Sequence, residues 1–117
     1  MAQYVDGFVI PILKKHVSTY RRFALAASKV WRDHGALAYQ ECVGEDLTAQ
    51  GRFPKQLKLK RGETAVFAWI VYKSRAHRDR VNAKVMKDPR ITSVDMSKLP
   101  FDMRRMLYGG FTTIVGY

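Results

Sequence analysis

Two carboxylates stand out because each interrupts an apolar alternation. Asp6 lies within Tyr4-Val-Asp-Gly-Phe8 and shares one side of an extended chain with Tyr4 and Phe8, while Glu41 shares a side with Leu37, Tyr39 and Val43. A carboxyl group among apolar neighbours resists ionisation, so its pKa rises toward the range where protons are exchanged at neutral pH. Such a pair suits proton transfer on a small, partly apolar molecule, with Trp69 as an aromatic wall and Tyr39 and Tyr108 as further pocket candidates. The structural alternative is that both acids pair with arginines or cap backbone groups at strand ends.

Other chemistries find less support. His16 and His34 stand at opposite ends of one helical stretch and His77 opens another. None shows His-X-His or His-Glu-X-X-His spacing, so no metal site is expected, and a histidine serving as proton acceptor near the pocket is the alternative use. His34 is placed to interact with a helix C-terminus. Cys42, the single cysteine, has no Cys-X-X-Cys partner and no neighbour that would lower its pKa, and reads as a small buried residue. Neither a Gly-X-Gly-X-X-Gly nor a Walker-type loop occurs, so no cofactor is expected.

These residues must be positioned by one domain spanning residues 1–117, because 117 residues do not hold two independent cores. With 47% apolar residues, six Tyr, six Phe and two Trp, the chain can build a core without disulfides or metals. Four apolar, β-rich stretches alternate with two helical ones. The first strand is Tyr4 to Leu13, where Pro11 suits an edge or strand end. The first helix runs from about His16 to His34, with Val17, Tyr20, Ala24, Ala27, Trp31 and His34 on one stripe and Gly35 as its stop. A second strand spans Ala36 to about Gly44. Residues 52 to 64 alternate partly and fit a short strand or an extended loop equally. The third main strand, Ala65 to Tyr72, is apolar on both faces, as a central strand is. Ser74 caps a helix from Arg75 to Lys87 with a thin apolar face of Val81, Val85 and Met86, and Asp88-Pro89 ends it. The last strand runs from Met106 through Gly109-Gly110, a bulge or close backbone approach, to Tyr117. Arg78 and Asn82, four apart, are expected to hold their helix to the loop bearing Asp102.

The order β-α-β-β-α-β predicts an α+β domain of ferredoxin-like type, a four-stranded antiparallel sheet with two helices on one face. The uncovered face presents members of Phe8, Phe67, Trp69 and Phe111, a patch too apolar for water, and pairing with a second copy is the expected cover.

The chain resembles the YbaA-like family of uncharacterised bacterial proteins, within the dimeric α/β-barrel superfamily. The resemblance is carried nearly end to end by segments that include Tyr4-Val-Asp-Gly-Phe8, Gly35-Ala-Leu37, Glu41-Cys42, Gly62-Glu-Thr64, Val66-Phe67, Trp69-Ile70, Asp88-Pro-Arg90, Pro100-Phe-Asp102 and Tyr108-Gly-Gly-Phe111. The chain departs from the family pattern at Ala68, Val71 and Lys73, where serine, an acidic residue and proline are usual. The resemblance implies the fold and a dimeric barrel but no reaction, since related barrels serve many chemistries.

Net charge is +11, and residues 52 to 90 hold 12 of the 21 Lys and Arg. These cations lack accompanying exposed aromatics for base stacking, so they read as a solvated surface and a nucleic-acid partner is not expected. No secretory signal and no apolar run near the roughly 20 residues of a membrane span is present, so the expected setting is cytoplasmic, without a membrane partner. Two functions follow: a homodimer binding a small, partly apolar metabolite in a cavity on the sheet face, with or without cofactor-free proton-transfer or oxygenase-type chemistry, or a non-enzymatic interaction module with a basic surface.

Overall fold

The computed structural model describes residues 2–49 and 51–116. Strands β1 (Tyr4–Leu13), β2 (Ala38–Val43), β3 (Glu63–Tyr72) and β4 (Leu107–Thr112) form one antiparallel sheet in the order β2-β3-β1-β4. Helix α1 (Val17–Asp33) connects β1 to β2, and α3 (Arg75–Val85) follows β3. Short helices α2 (Phe53–Gln56) and α4 (Pro89–Thr92) occupy connections. This is the ferredoxin-like βαββαβ arrangement, with β3 internal as its two-sided apolarity requires.

The core forms where one face of the sheet meets the two long helices. Ile10 and Ile12 of β1 and Val66, Ala68, Ile70 and Tyr72 of β3 alternate inward to meet Tyr20, Ala24 and Val30 of α1 and Val81 and Val85 of α3. Burying each Val or Ile side chain contributes about 1.5–3 kcal/mol against chain entropy. The local stops act as their chemistry dictates. Gly35 takes φ 113° after α1, in the left-handed region that favours glycine, and the Ser74 hydroxyl accepts from the His77 N–H at 3.1 Å to cap α3.

Five details differ from the sequence expectations. Phe8 pairs with Ala68 and Tyr108 and therefore belongs to the helix-covered face, not the open one. Met86 is exposed, so the buried face of α3 narrows to Val81 and Val85. Residues 53–56 form α2, opened by Pro54 in its first turn, and Lys58 at φ 57° turns the chain, so β3 begins only at Glu63. Asp88 and Pro89 start α4, the Asp88 carboxylate accepting the Arg90 N–H at 2.9 Å. β4 stops at Thr112 because its partner there, Tyr4, is the first residue of β1; the expected endpoint Tyr117 lies outside the described residues. The close approach expected at the glycine pair is real, since a Cβ on Gly110 would run into the Tyr4 phenol, but the ladder there is regular and has no bulge.

Candidate functional site

Cross-strand register decides which candidates meet. One row on the helix-covered face reads Tyr39, Ile70, Asp6, Gly110, and the next reads Glu41, Ala68, Phe8, Tyr108. Trp69 pairs with Gly7 and Gln40 and so stands on the opposite face. The two acids therefore share a face, separated by the width of β3, and Trp69 is a wall to neither.

Asp6 is sealed inside, 1% exposed. Arg78 Nη1 donates to its carboxylate at 2.7 Å, while Arg78 Nε donates to Asp79 at 2.8 Å and the guanidinium lies 4.9 Å over the Tyr4 ring. Beside them Asn82 Oδ1 accepts from Trp31 Nε1 at 3.1 Å and from the Tyr72 hydroxyl at 3.3 Å. Burial raises the Asp6 pKa, with Arg78 and the neighbouring Asn82 and Tyr72 pulling the other way. The guanidinium is kept charged despite its own burial by Asp79 and Asp6. Arg78 and Asn82 thus serve this interior network and not Asp102, whose carboxylate instead accepts from Arg104. A buried carboxylate needs a partner more than an exposed one does, which explains where Arg78 goes.

Glu41 has different surroundings. The Tyr20 hydroxyl donates to one carboxylate oxygen at 2.5 Å and the Tyr39 hydroxyl to the other at 2.7 Å. Burial first, and the Glu41 carboxylate second, push both phenol pKa values far up, so both rings remain neutral donors at any physiological pH. The triad lines a groove of about 370 Å³ between α1 and the edge strand β2. Ala24, Leu25, Val43 and Val66 give it apolar walls, and Arg21 and Ser28 add polar groups. A carboxylate reached through an apolar opening is the usual composition of a small-molecule site.

The remaining candidates lie elsewhere. Tyr108 stacks on Phe8, with centroids 4.9 Å apart, on the far edge of the sheet from the groove. Burial and the nearby Asp6 charge raise its pKa. Cys42 is partly exposed, paired with Phe67, and not the buried residue expected. His34 Nε2 meets Asp88 at 2.8 Å, and His77 Nδ1 accepts from the Lys73 N–H, with burial and the Lys73, Arg80 and Lys84 charges lowering the His77 pKa. The residue that sequence reasoning passed over is Tyr20. It lies on the buried stripe of α1, and a buried phenol needs an acceptor, a signal that calls for a polar group on the facing strand.

Fold and register together define a ferredoxin-like α+β domain. A solved structure of similar shape, a dimeric ferredoxin-like protein from an uncultured marine organism, aligns over 100% of both chains with a TM-score of 0.57 at 11% identity. Residues 3–103 match the model of the family described as "Protein of unknown function (DUF1428)", and the chain belongs to that family. Among its relatives is the "Uncharacterized protein YbaA" of Escherichia coli strain K12, 39% identical over 116 residues and covering 97% of each chain. The protein of the same description from Shigella flexneri matches to the same extent.

Proposed function

We propose that this protein is a homodimer that binds a small, partly apolar molecule in the groove between α1 and β2. The observation that carries the binding reading is the convergence of an open, apolar-walled space of about 370 Å³ on the Glu41 carboxylate, whose two oxygens are oriented by neutral phenols. That volume lies within the roughly 300–1,000 Å³ typical of ligand pockets. Asp6, closed off and paired with Arg78, is assigned to stability; any proton transfer in this protein would fall to Glu41.

The dimer is supported by the uncovered sheet face. Val5, Gly7 and Val9 of β1, Phe67, Trp69 and Val71 of β3, and Leu107, Gly109 and Phe111 of β4 carry no charge across three strands. Phe67, Leu107 and Phe111 are each more than half exposed. Monomers rarely leave such a contiguous patch in water. The marine structure of similar fold is itself described as dimeric. Two copies joined through these faces leave both grooves open on the outside. The basic segment favours a second reading, an interaction surface for acidic partners, and charge alone supports it.

Protein-observed NMR with a set of small amphipathic fragments tests the binding reading. Shift changes are expected to gather on groove residues, including Ala24, Tyr39 and Val43. Changes gathered on the open face or on the basic face of α3 would refute it.

A further inference from the structure

We infer that the groove selects a primary ammonium group carried on an apolar body, an inference that rests on the binding reading above and specifies its ligand class. Seven of the ten carboxylates have a cationic side chain within 4.0 Å: Asp6, Asp33, Glu63, Asp79, Asp88, Asp95 and Asp102. Glu45 and Asp46 lack one but lie exposed on a loop, where water solvates them. Glu41 is the exception among the described residues, a partly buried carboxylate with no ion-pair partner, in a chain with 21 Lys and Arg available. Removing a carboxylate from water without a counter-charge is costly, and two neutral phenol donors offset only part of that cost.

The geometry leaves room for the missing charge. An ionised carboxylate offers about four lone-pair positions, and the Tyr20 and Tyr39 hydroxyls occupy one on each oxygen. Both phenols are held as donors, so they fix the carboxylate and supply no acceptor of their own. Arg21 lines the groove from an exposed position and makes no ion pair with Glu41. An ammonium group brings three donors and a full positive charge in a compact head. Its apolar body then lies along Ala24, Leu25, Val43 and Val66, which an alcohol or carboxylate of the same length would meet equally well. Head-group preference therefore isolates the role of Glu41.

Calorimetric titration of the full chain with hexylamine, hexan-1-ol and hexanoate tests this directly. Hexylamine is expected to bind at least about tenfold more tightly than hexan-1-ol, the factor that one charge-assisted hydrogen bond supplies. Glu41→Gln should erase that margin while retaining weak binding of the apolar chain. Leu25→Trp, on an exposed helix position, should fill the groove and abolish binding of all three with no change in folding. Equal binding of hexylamine and hexan-1-ol, both lost in Leu25→Trp, would overturn the ammonium preference and leave the groove reading standing. Preference for hexanoate would assign the head group to Arg21 and overturn it equally. Binding of none of the three, or binding that Leu25→Trp leaves intact, would overturn both.

Discussion

Glu41 and Trp69 stand on adjacent strands, one register step apart, and point to opposite faces of the sheet: Trp69 pairs with Gln40, while Glu41 pairs with Ala68. A ligand held by Glu41 therefore never touches Trp69, and the two residues report on separate events. Trp69→Ala is expected to weaken the dimer by about 2 kcal/mol or more, as loss of a central interface aromatic does, and to leave hexylamine binding at the groove unchanged. Sedimentation velocity together with calorimetry of the variant reads both quantities. Loss of groove binding with an intact dimer would reverse the assignment.

Asp6 and Arg78 lie 72 positions apart in the chain and meet at 2.7 Å, with side chains 2% and 13% exposed. Asp6→Ala leaves a half-satisfied guanidinium under the sheet and is expected to cost about 3–5 kcal/mol, as breaking one side of a buried ion pair does. Asp6→Asn, which preserves shape and an acceptor, should cost less. Urea denaturation of both variants measures this, and a loss for Asp6→Ala below about 1 kcal/mol would make the pair dispensable.

Much of this arrangement is legible in the sequence, up to a specific limit. Alternation correctly groups Tyr4, Asp6 and Phe8 on one side of β1 and Tyr39 and Glu41 on one side of β2. It does not say which side the helices cover, because β1 and β3 are apolar on both. The register with β3, some sixty residues away, pairs Phe8 with Ala68, and so carries Phe8 to the covered face while Trp69 stays on the open face where both were expected. The Asp6 to Arg78 and Glu41 to Tyr20 contacts are also long-range. Each required a partner on chemical grounds, and only the fold supplies its identity. The helix stop at Gly35 and the Ser74 cap were readable because they depend on neighbours within four residues.

Acid stability is expected to depend on Glu63. Its carboxylate accepts from Arg105 Nη1 at 2.6 Å, Arg105 Nη2 at 2.9 Å and the Lys60 N–H at 2.6 Å, and the Arg105 bonds foremost hold its pKa below the usual 4.5. A depressed folded pKa means that the unfolded chain binds the proton more readily. The stabilisation is therefore complete above about pH 4.5 and is lost as pH falls through the lower folded value. Glu63→Gln should flatten the fall of Tm between about pH 5 and pH 3 relative to the parent chain. An unchanged slope would remove Glu63 from the acid response.

The basic segment is expected to bind nucleic acid only weakly. Two of its 12 cations are already paired with carboxylates of this chain, Arg78 with the buried Asp6 and Arg90 with Asp33 and Asp88. The others lie on the α2 connection and on or beside α3, where Phe53 is the one aromatic among the exposed large hydrophobic side chains. Fluorescence anisotropy against single- and double-stranded DNA and RNA should show affinity that collapses near 0.15 M salt, where the Debye length is about 8 Å. Sub-micromolar, sequence-dependent binding that survives about 0.2 M salt would promote the interaction-module reading.

Multi-angle light scattering across a dilution series tests the central claim, that the uncharged sheet face joins two copies of this chain. Twice the 13.5 kDa chain mass is expected at micromolar concentration, and a monomer of unchanged fold when Phe67, exposed on that face, is replaced by Arg. A parent chain that scatters as a 13.5 kDa monomer throughout, or a Phe67→Arg variant that stays dimeric, would contradict it.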